Sequence, residues 1–188
     1  MPRLPRFLAA GLLLFAATLV LSALLAPGPR GLIAAGVFVP LWYFIAVLNA
    51  WLGVVSAGYP VRAEIAVFGL VFGVPAVVAV VVGSLYSPEV GGGRIWFLWA
   101  AGVGLWAAVW LLISLLAGGP GAAGLAALVF GPLWVIVCVV NLVVGVRSAG
   151  YSVGEELPIM LANAALPLVV AVVAWRVLGR RRPATTTS

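Results

Sequence analysis

Charged side chains interrupt the chain at wide intervals, and the stretches between them are almost wholly apolar: 23 residues between Arg6 and Arg30, 31 between Arg30 and Arg62, 24 between Glu64 and Glu89, 52 between Arg94 and Arg147, and 19 between Glu156 and Arg176. A helix needs about 20 such residues to cross the ~30 Å hydrocarbon layer of a bilayer. The longest stretch would make a helix of roughly 78 Å at about 1.5 Å per residue, so it must turn. The cluster Ala117-Gly118-Gly119-Pro120-Gly121 is the place for that turn. The pattern predicts six spans, near Phe7–Leu25, Leu32–Val55, Ile65–Leu85, Ile95–Leu116, Leu125–Val146 and Leu157–Leu178. The first of them follows Arg3 and Arg6 as the core of a signal peptide would. Its apolar run of about 19 residues, with no convincing small-x-small cleavage site after it, reads as a transmembrane helix instead.

With the amino terminus inside, six spans put Arg3, Arg6, Arg62, Arg176, Arg180, Arg181 and Arg182 on the cytoplasmic side, and Arg30, Arg94 and Arg147 outside. That asymmetry predicts a multi-pass protein of the cell membrane with both termini cytoplasmic. The net charge of +6 then reflects orientation and contact with anionic headgroups, and no nucleic-acid partner is expected. The lipid bilayer is the expected surrounding, with a homo-oligomer or another membrane protein as the expected kind of partner.

Composition narrows the chemistry further. The chain is 65% hydrophobic and 7% charged, against roughly 25% charged in a soluble domain. It has no His, Lys, Asp or Gln and one Cys, Cys138. Zinc, haem and iron–sulfur ligation therefore lack their usual donors, and a Schiff-base lysine, a Ser–His pair or an aspartyl dyad cannot be assembled. No catalytic residue, metal site or cofactor is expected, and the chain is read as a non-enzyme. Cys138, within an apolar run, reads as a small packing residue.

Residues 40–83 align with 132–175 at a constant offset of 92, with 19 identities in 44 ungapped positions. The rare residue types decide that this is a duplication: Pro40/Pro132, Trp42/Trp134, Asn49/Asn141, Gly53/Gly145, Ser56-Ala57-Gly58-Tyr59/Ser148-Ala149-Gly150-Tyr151, Glu64/Glu156 and Pro75/Pro167. The first and fourth spans match more weakly. Each unit holds three helices, and an odd number forces the second unit into the membrane with the opposite polarity. The predicted fold is an all-α integral membrane protein of six transmembrane helices in a 3+3 inverted-topology internal repeat. It forms a single transmembrane domain over 1–188, with repeat units near 7–86 and 95–178 and a short Arg-rich cytoplasmic tail at 179–188. The arrangement resembles the small three-plus-three transporter families, without their functional motifs; the resemblance implies rocking of two halves about an axis in the membrane plane.

Trp42, Ala46, Asn49, Gly53 and Ser56 share one face of the second helix, and Trp134, Cys138, Asn141, Gly145 and Ser148 share the matching face of the fifth. Two readings are open: close helix packing with each Asn bonded across the interface, or a solute path lined by Asn49 and Asn141 as two symmetry-related half-sites. Pro75 and Pro167 lie mid-span, where a proline either kinks the helix or frees a carbonyl for a ligand or hinge. Asn163 joins this group as a polar residue whose counterpart is Val71.

The hairpins supply candidate mouth or capping residues: Ser56, Tyr59 and Glu64 in the first unit, and Ser148, Tyr151, Glu155 and Glu156 in the second. Glycine suits a left-handed helix end, tyrosine the interfacial belt, and Ser152-x-x-Glu155 a capping box. Glu64 and Glu156 either complement the dipole of a first helical turn or bind a proton or cation at the two mouths. In the fourth span, Ala100-x-x-x-Gly104-x-x-x-Ala108 is expected to pack while the tryptophans face lipid or the interface. The functional expectation is a small transporter or channel for a neutral or cationic solute; the alternative is a non-catalytic membrane scaffold or complex subunit that binds partner helices through Gly/Ala stripes.

Overall fold

The computed structural model describes residues 3–119 and 121–179, so Pro120 and the Arg180–Arg182 part of the expected tail lie outside the described residues. The described chain is helical: α1 (Arg3–Leu25), α2 (Arg30–Val55), α3 (Val61–Leu85), α4 (Arg94–Leu116), α5 (Ala122–Ser148) and α6 (Val153–Gly179). All six are long and apolar enough to cross a membrane. The shortest, of 23 residues, extends about 35 Å at about 1.5 Å per residue. Large apolar side chains such as Phe44, Ile65, Leu85 and Leu128 stand exposed on the outer faces. Such a surface suits lipid, and the fold is that of a polytopic membrane protein.

The helices start one to four residues earlier than their apolar runs. Arg3, Arg30 and Arg94 lie in first turns rather than before them, because a long side chain can reach the interface or a nearby carbonyl from inside a helix. The ends of α2 and α5 are set by the repeated Ser-Ala-Gly-Tyr. Gly58 and Gly150 take φ of 69° and 77°, and the next amide returns six residues, from Tyr59 N to the Gly53 carbonyl at 3.0 Å and from Tyr151 N to the Gly145 carbonyl at 3.4 Å. This backbone closure needs a residue without a Cβ at the left-handed position. At the start of α6 the expected capping box forms: Ser152 N donates to Glu155 Oε2 at 2.9 Å, and Glu155 N to Ser152 Oγ at 3.3 Å.

The most extensive helix interface joins α1 to α4; α2 and α3 pack on each other and on α1, while α5 and α6 pack on each other and on α4. The central pair is antiparallel and closed at both ends by arginine: Arg3 Nη2 donates to the Leu115 carbonyl at 2.7 Å, and Arg94 Nη2 to the Leu24 carbonyl at 2.8 Å. Two apolar clusters flank it. One gathers Phe7, Leu14, Phe15, Phe38, Trp42 and Val71; the other gathers Leu24, Leu98, Phe130, Trp134, Cys138 and Ala171. The packing face of α4 keeps Ala108 and Gly104 of the expected stripe, the latter beside Leu13 and Ala17 of α1, and departs from it at Ala100. Ala100 is exposed, whereas Ala101, Gly102 and Ala108 are buried. Trp99 and Trp106 correspondingly turn inward, with buried indole nitrogens that lack hydrogen-bond partners, while Trp96 remains 67% exposed.

Candidate functional site

Two repeated contacts organise each three-helix unit. The first is built on a proline. Pro75 has no amide hydrogen to give to the carbonyl four residues earlier, which is that of Val71. The indole of Trp42 supplies the missing donor, with Nε1 at 2.8 Å from the Val71 oxygen. In the second unit Pro167 frees the Asn163 carbonyl, and Trp134 Nε1 donates to it at 3.2 Å. Both tryptophans and both prolines are fully buried. Each pair lies against a glycine of the central helices. A Cβ at Gly11 would stand 2.7 Å from Trp42 and 3.0 Å from Pro75, and one at Gly102 2.6 Å from Trp134 and 2.7 Å from Pro167. The carbonyls freed by Pro75 and Pro167 are therefore each engaged by an indole N–H.

The second contact pairs a carboxylate with a glycine. Glu64 and Glu156 are only 8% and 6% exposed, although each lies in the first turn of its helix. A Cβ at Gly53 or at Gly145 would come 2.5 Å from the carboxyl carbon of Glu64 or Glu156. The glycines of the polar stripe thus make room for carboxylates delivered across the hairpin. No side-chain bond caps α3; the Glu64 carboxylate turns inward, against the preceding helix, and its Oε2 is buried without a hydrogen-bond partner.

Glu64 also belongs to the wall of a cavity of about 480 Å³, at the end of the molecule where α1 and α3 begin and α2 and α4 finish. Its polar lining is Arg3, Asn49, Ser56, Tyr59 and Glu64, and its apolar lining includes Phe7, Val67, Val71 and Leu115. The structure thus gathers four of the sequence candidates, Asn49, Ser56, Tyr59 and Glu64, around one space. Pro75 stands behind Trp42 rather than among the lining residues. In the second unit Asn141 is half-buried, Ser148 and Tyr151 are exposed, and Glu155 is held by Ser152. Asn163 is 3% exposed, with an Oδ1 that finds no partner.

Sequence reasoning missed Arg3, Gly11, Gly102 and Arg94. The signal was present: Arg3 and Ala9-Ala10-Gly11 recur as Arg94 and Ala100-Ala101-Gly102. The first and fourth helices repeat at an offset of 91, one residue short of the offset that aligns the other four. Among the described residues no group of three or more Cys, Asp or Glu could hold a metal ion. No protein-family model, curated protein or solved structure matches the chain.

Proposed function

We propose that this chain is a small membrane transporter or channel for a neutral or cationic solute, built as a 3+3 inverted repeat whose first unit holds a solute site at Glu64. The observation that carries the reading is the buried Glu64 side chain, which keeps one carboxylate oxygen without a partner and lines a cavity that Asn49 also lines. An unsatisfied carboxylate oxygen costs several kcal/mol in an apolar setting unless a donor or cation reaches it, on the order of what buried charges require generally. Inverted polarity of the units is supported by the reciprocal bonds of Arg3 and Arg94 across an antiparallel pair. The recurrence of the Trp–carbonyl and Glu–Gly contacts supports it further. With Asn49 on α2 against α1 and Asn141 on α5 against α4, the two asparagines serve separate half-sites.

Orientation is tested by labelling. In a Cys138→Ser background, a membrane-impermeant thiol reagent outside intact cells is expected to modify Tyr151→Cys and to spare Tyr59→Cys. Modification of both, or of neither until lysis, removes the inverted repeat. The transport reading is tested in proteoliposomes with labelled methylammonium, a small cation, and labelled leucine, a net-neutral solute. At least one is expected to enter, with uptake per folded molecule falling at least about tenfold in Glu64→Gln. Folded protein that carries neither, or uptake unaltered in the variant, rejects this function and leaves the chain as a membrane scaffold.

A further inference from the structure

The cavity holds two opposite charges that do not neutralise each other. Arg3 and Glu64 line the same space, yet the one ion pair formed among the described residues joins Arg30 to Glu89 elsewhere. Arg3, an exposed residue, spends one guanidinium nitrogen on the Leu115 carbonyl, at the same wall, and its remaining N–H groups are open to water or to another acceptor, since a guanidinium carries five. Glu64 keeps an oxygen with no donor at all. Between them the lining is mainly apolar, with Phe7, Val67 and Val71. A volume of about 480 Å³ falls within the ~300–1,000 Å³ range of small-molecule sites.

A lone cation would satisfy Glu64 and leave Arg3 facing a like charge; a lone anion would do the reverse. We infer that the cavity binds a small zwitterion, with a primary ammonium on Glu64 and an anionic group on Arg3, around a short apolar body. The inference deepens the transport reading and rests on the same cavity being its solute site. Two sources carry this chemistry: a free amino acid with an apolar side chain, and the headgroup of an aminophospholipid. Glu64 also lines a shallower apolar groove of about 290 Å³ on the outer side of α2 and α3, beside Trp51 and Phe68. A lipid headgroup with its tails in the bilayer therefore reaches the same carboxylate as a solute arriving from water.

The test compares whole ligands with half-ligands on the full-length protein in phosphatidylcholine nanodiscs. Leucine is expected to bind at least about tenfold more tightly than 3-methylbutylamine, which lacks the carboxylate, and than 4-methylpentanoate, which lacks the amine. Glu64→Gln should abolish the preference over 4-methylpentanoate, and Arg3→Gln the preference over 3-methylbutylamine, while Glu89→Gln on the exposed loop changes neither. Addition of phosphatidylethanolamine to the nanodiscs distinguishes the sources. If the headgroup is the ligand, it raises the unfolding temperature of the unaltered protein and not of Glu64→Gln, and leucine has no effect. Where leucine binds, equal binding of the amine or of the acid overturns the zwitterion; where leucine does not bind, the absence of a response to phosphatidylethanolamine overturns it. The half-ligand comparison needs no variant, so it decides even where a substitution prevents folding. Zwitterion binding without uptake into liposomes would reject transport and keep the site; uptake of methylammonium without zwitterion binding would do the opposite.

Discussion

The two three-helix units share a frame and differ in where each leaves a polar atom unsatisfied. In both, an indole occupies the carbonyl that a proline frees, a glycine of the central pair accepts the indole and the proline ring, and a carboxylate lies on a glycine across the hairpin. In the first unit the unpartnered side-chain oxygen is Glu64 Oε2, at a helix start; in the second it is Asn163 Oδ1, seven residues beyond Glu156. Seven residues are about 10 Å along a helix. The duplicated contacts are those that hold helices at fixed distances, whereas the buried side-chain oxygens left without a partner differ, at a helix start in one unit and in a helix interior in the other. Retained packing with displaced polarity is what a shared scaffold with two unlike faces requires.

The sharpest way to break this comparison is to overfill the two glycines. Gly11→Val and Gly102→Val each force a side chain into space held by an indole and a proline ring, and overpacking of this kind costs about 1–3 kcal/mol or more. Thermal unfolding in detergent is expected to fall by similar amounts for both. A drop confined to one variant would mean that the frame is not shared.

Removing the indole donor should have the next largest effect. Trp42→Phe keeps an aromatic ring but removes the N–H with the five-membered half of the indole, so the Val71 carbonyl is left buried without a partner, at a cost of about 1–3 kcal/mol, and a cavity adds to that cost. Trp134→Phe should cost less, because its bond to Asn163 is 3.2 Å against 2.8 Å. The partner substitution sharpens the test. Pro75→Ala returns an amide hydrogen to the Val71 carbonyl, so Trp42→Phe should be milder in that background, and a double-mutant cycle reads the difference. Additive losses would show that the indole stabilises through packing alone.

Much of this frame was legible in the chain, and the illegible part has a definite cause. Six spans follow from charge spacing because the few charges available must lie at or near the ends of the spans. The left-handed helix ends at Gly58 and Gly150 and the Ser152–Glu155 cap also follow, since both depend on residues adjacent in sequence. Glu64 did not. A first-turn carboxylate ordinarily complements the helix dipole, and what redirects this one is a missing side chain at Gly53, eleven residues earlier on another helix. Pro75 and Trp42 were each visible as repeated residues, but the bond from the Trp42 indole to the Val71 carbonyl that Pro75 frees spans 29 positions and requires α2 and α3 to be packed before it exists. The cavity was least legible, because it depends on Arg3 and Leu115 meeting across the antiparallel central pair.

The smallest expected effect concerns the divergent position itself. Asn163 is 3% exposed, its Oδ1 has no partner, and the matching residue of the first unit is Val71, also buried. Its backbone carbonyl, not its side chain, receives the Trp134 indole, so a change of side chain leaves that bond in place. If the amide only occupies space, Asn163→Val removes an unsatisfied polar group and should stabilise the protein, by up to about 1 kcal/mol given that membrane hydrogen bonds average about 0.6. Val71→Asn introduces the same group into the first unit and should destabilise it by a comparable amount. If instead Asn163 serves solute passage through the second unit, Asn163→Val will raise stability and lower liposome uptake together. Thermal unfolding and uptake measured on the same preparations separate the cases: a gain in stability with unchanged uptake confines the solute site to the first unit, whereas a gain with reduced uptake extends it to both.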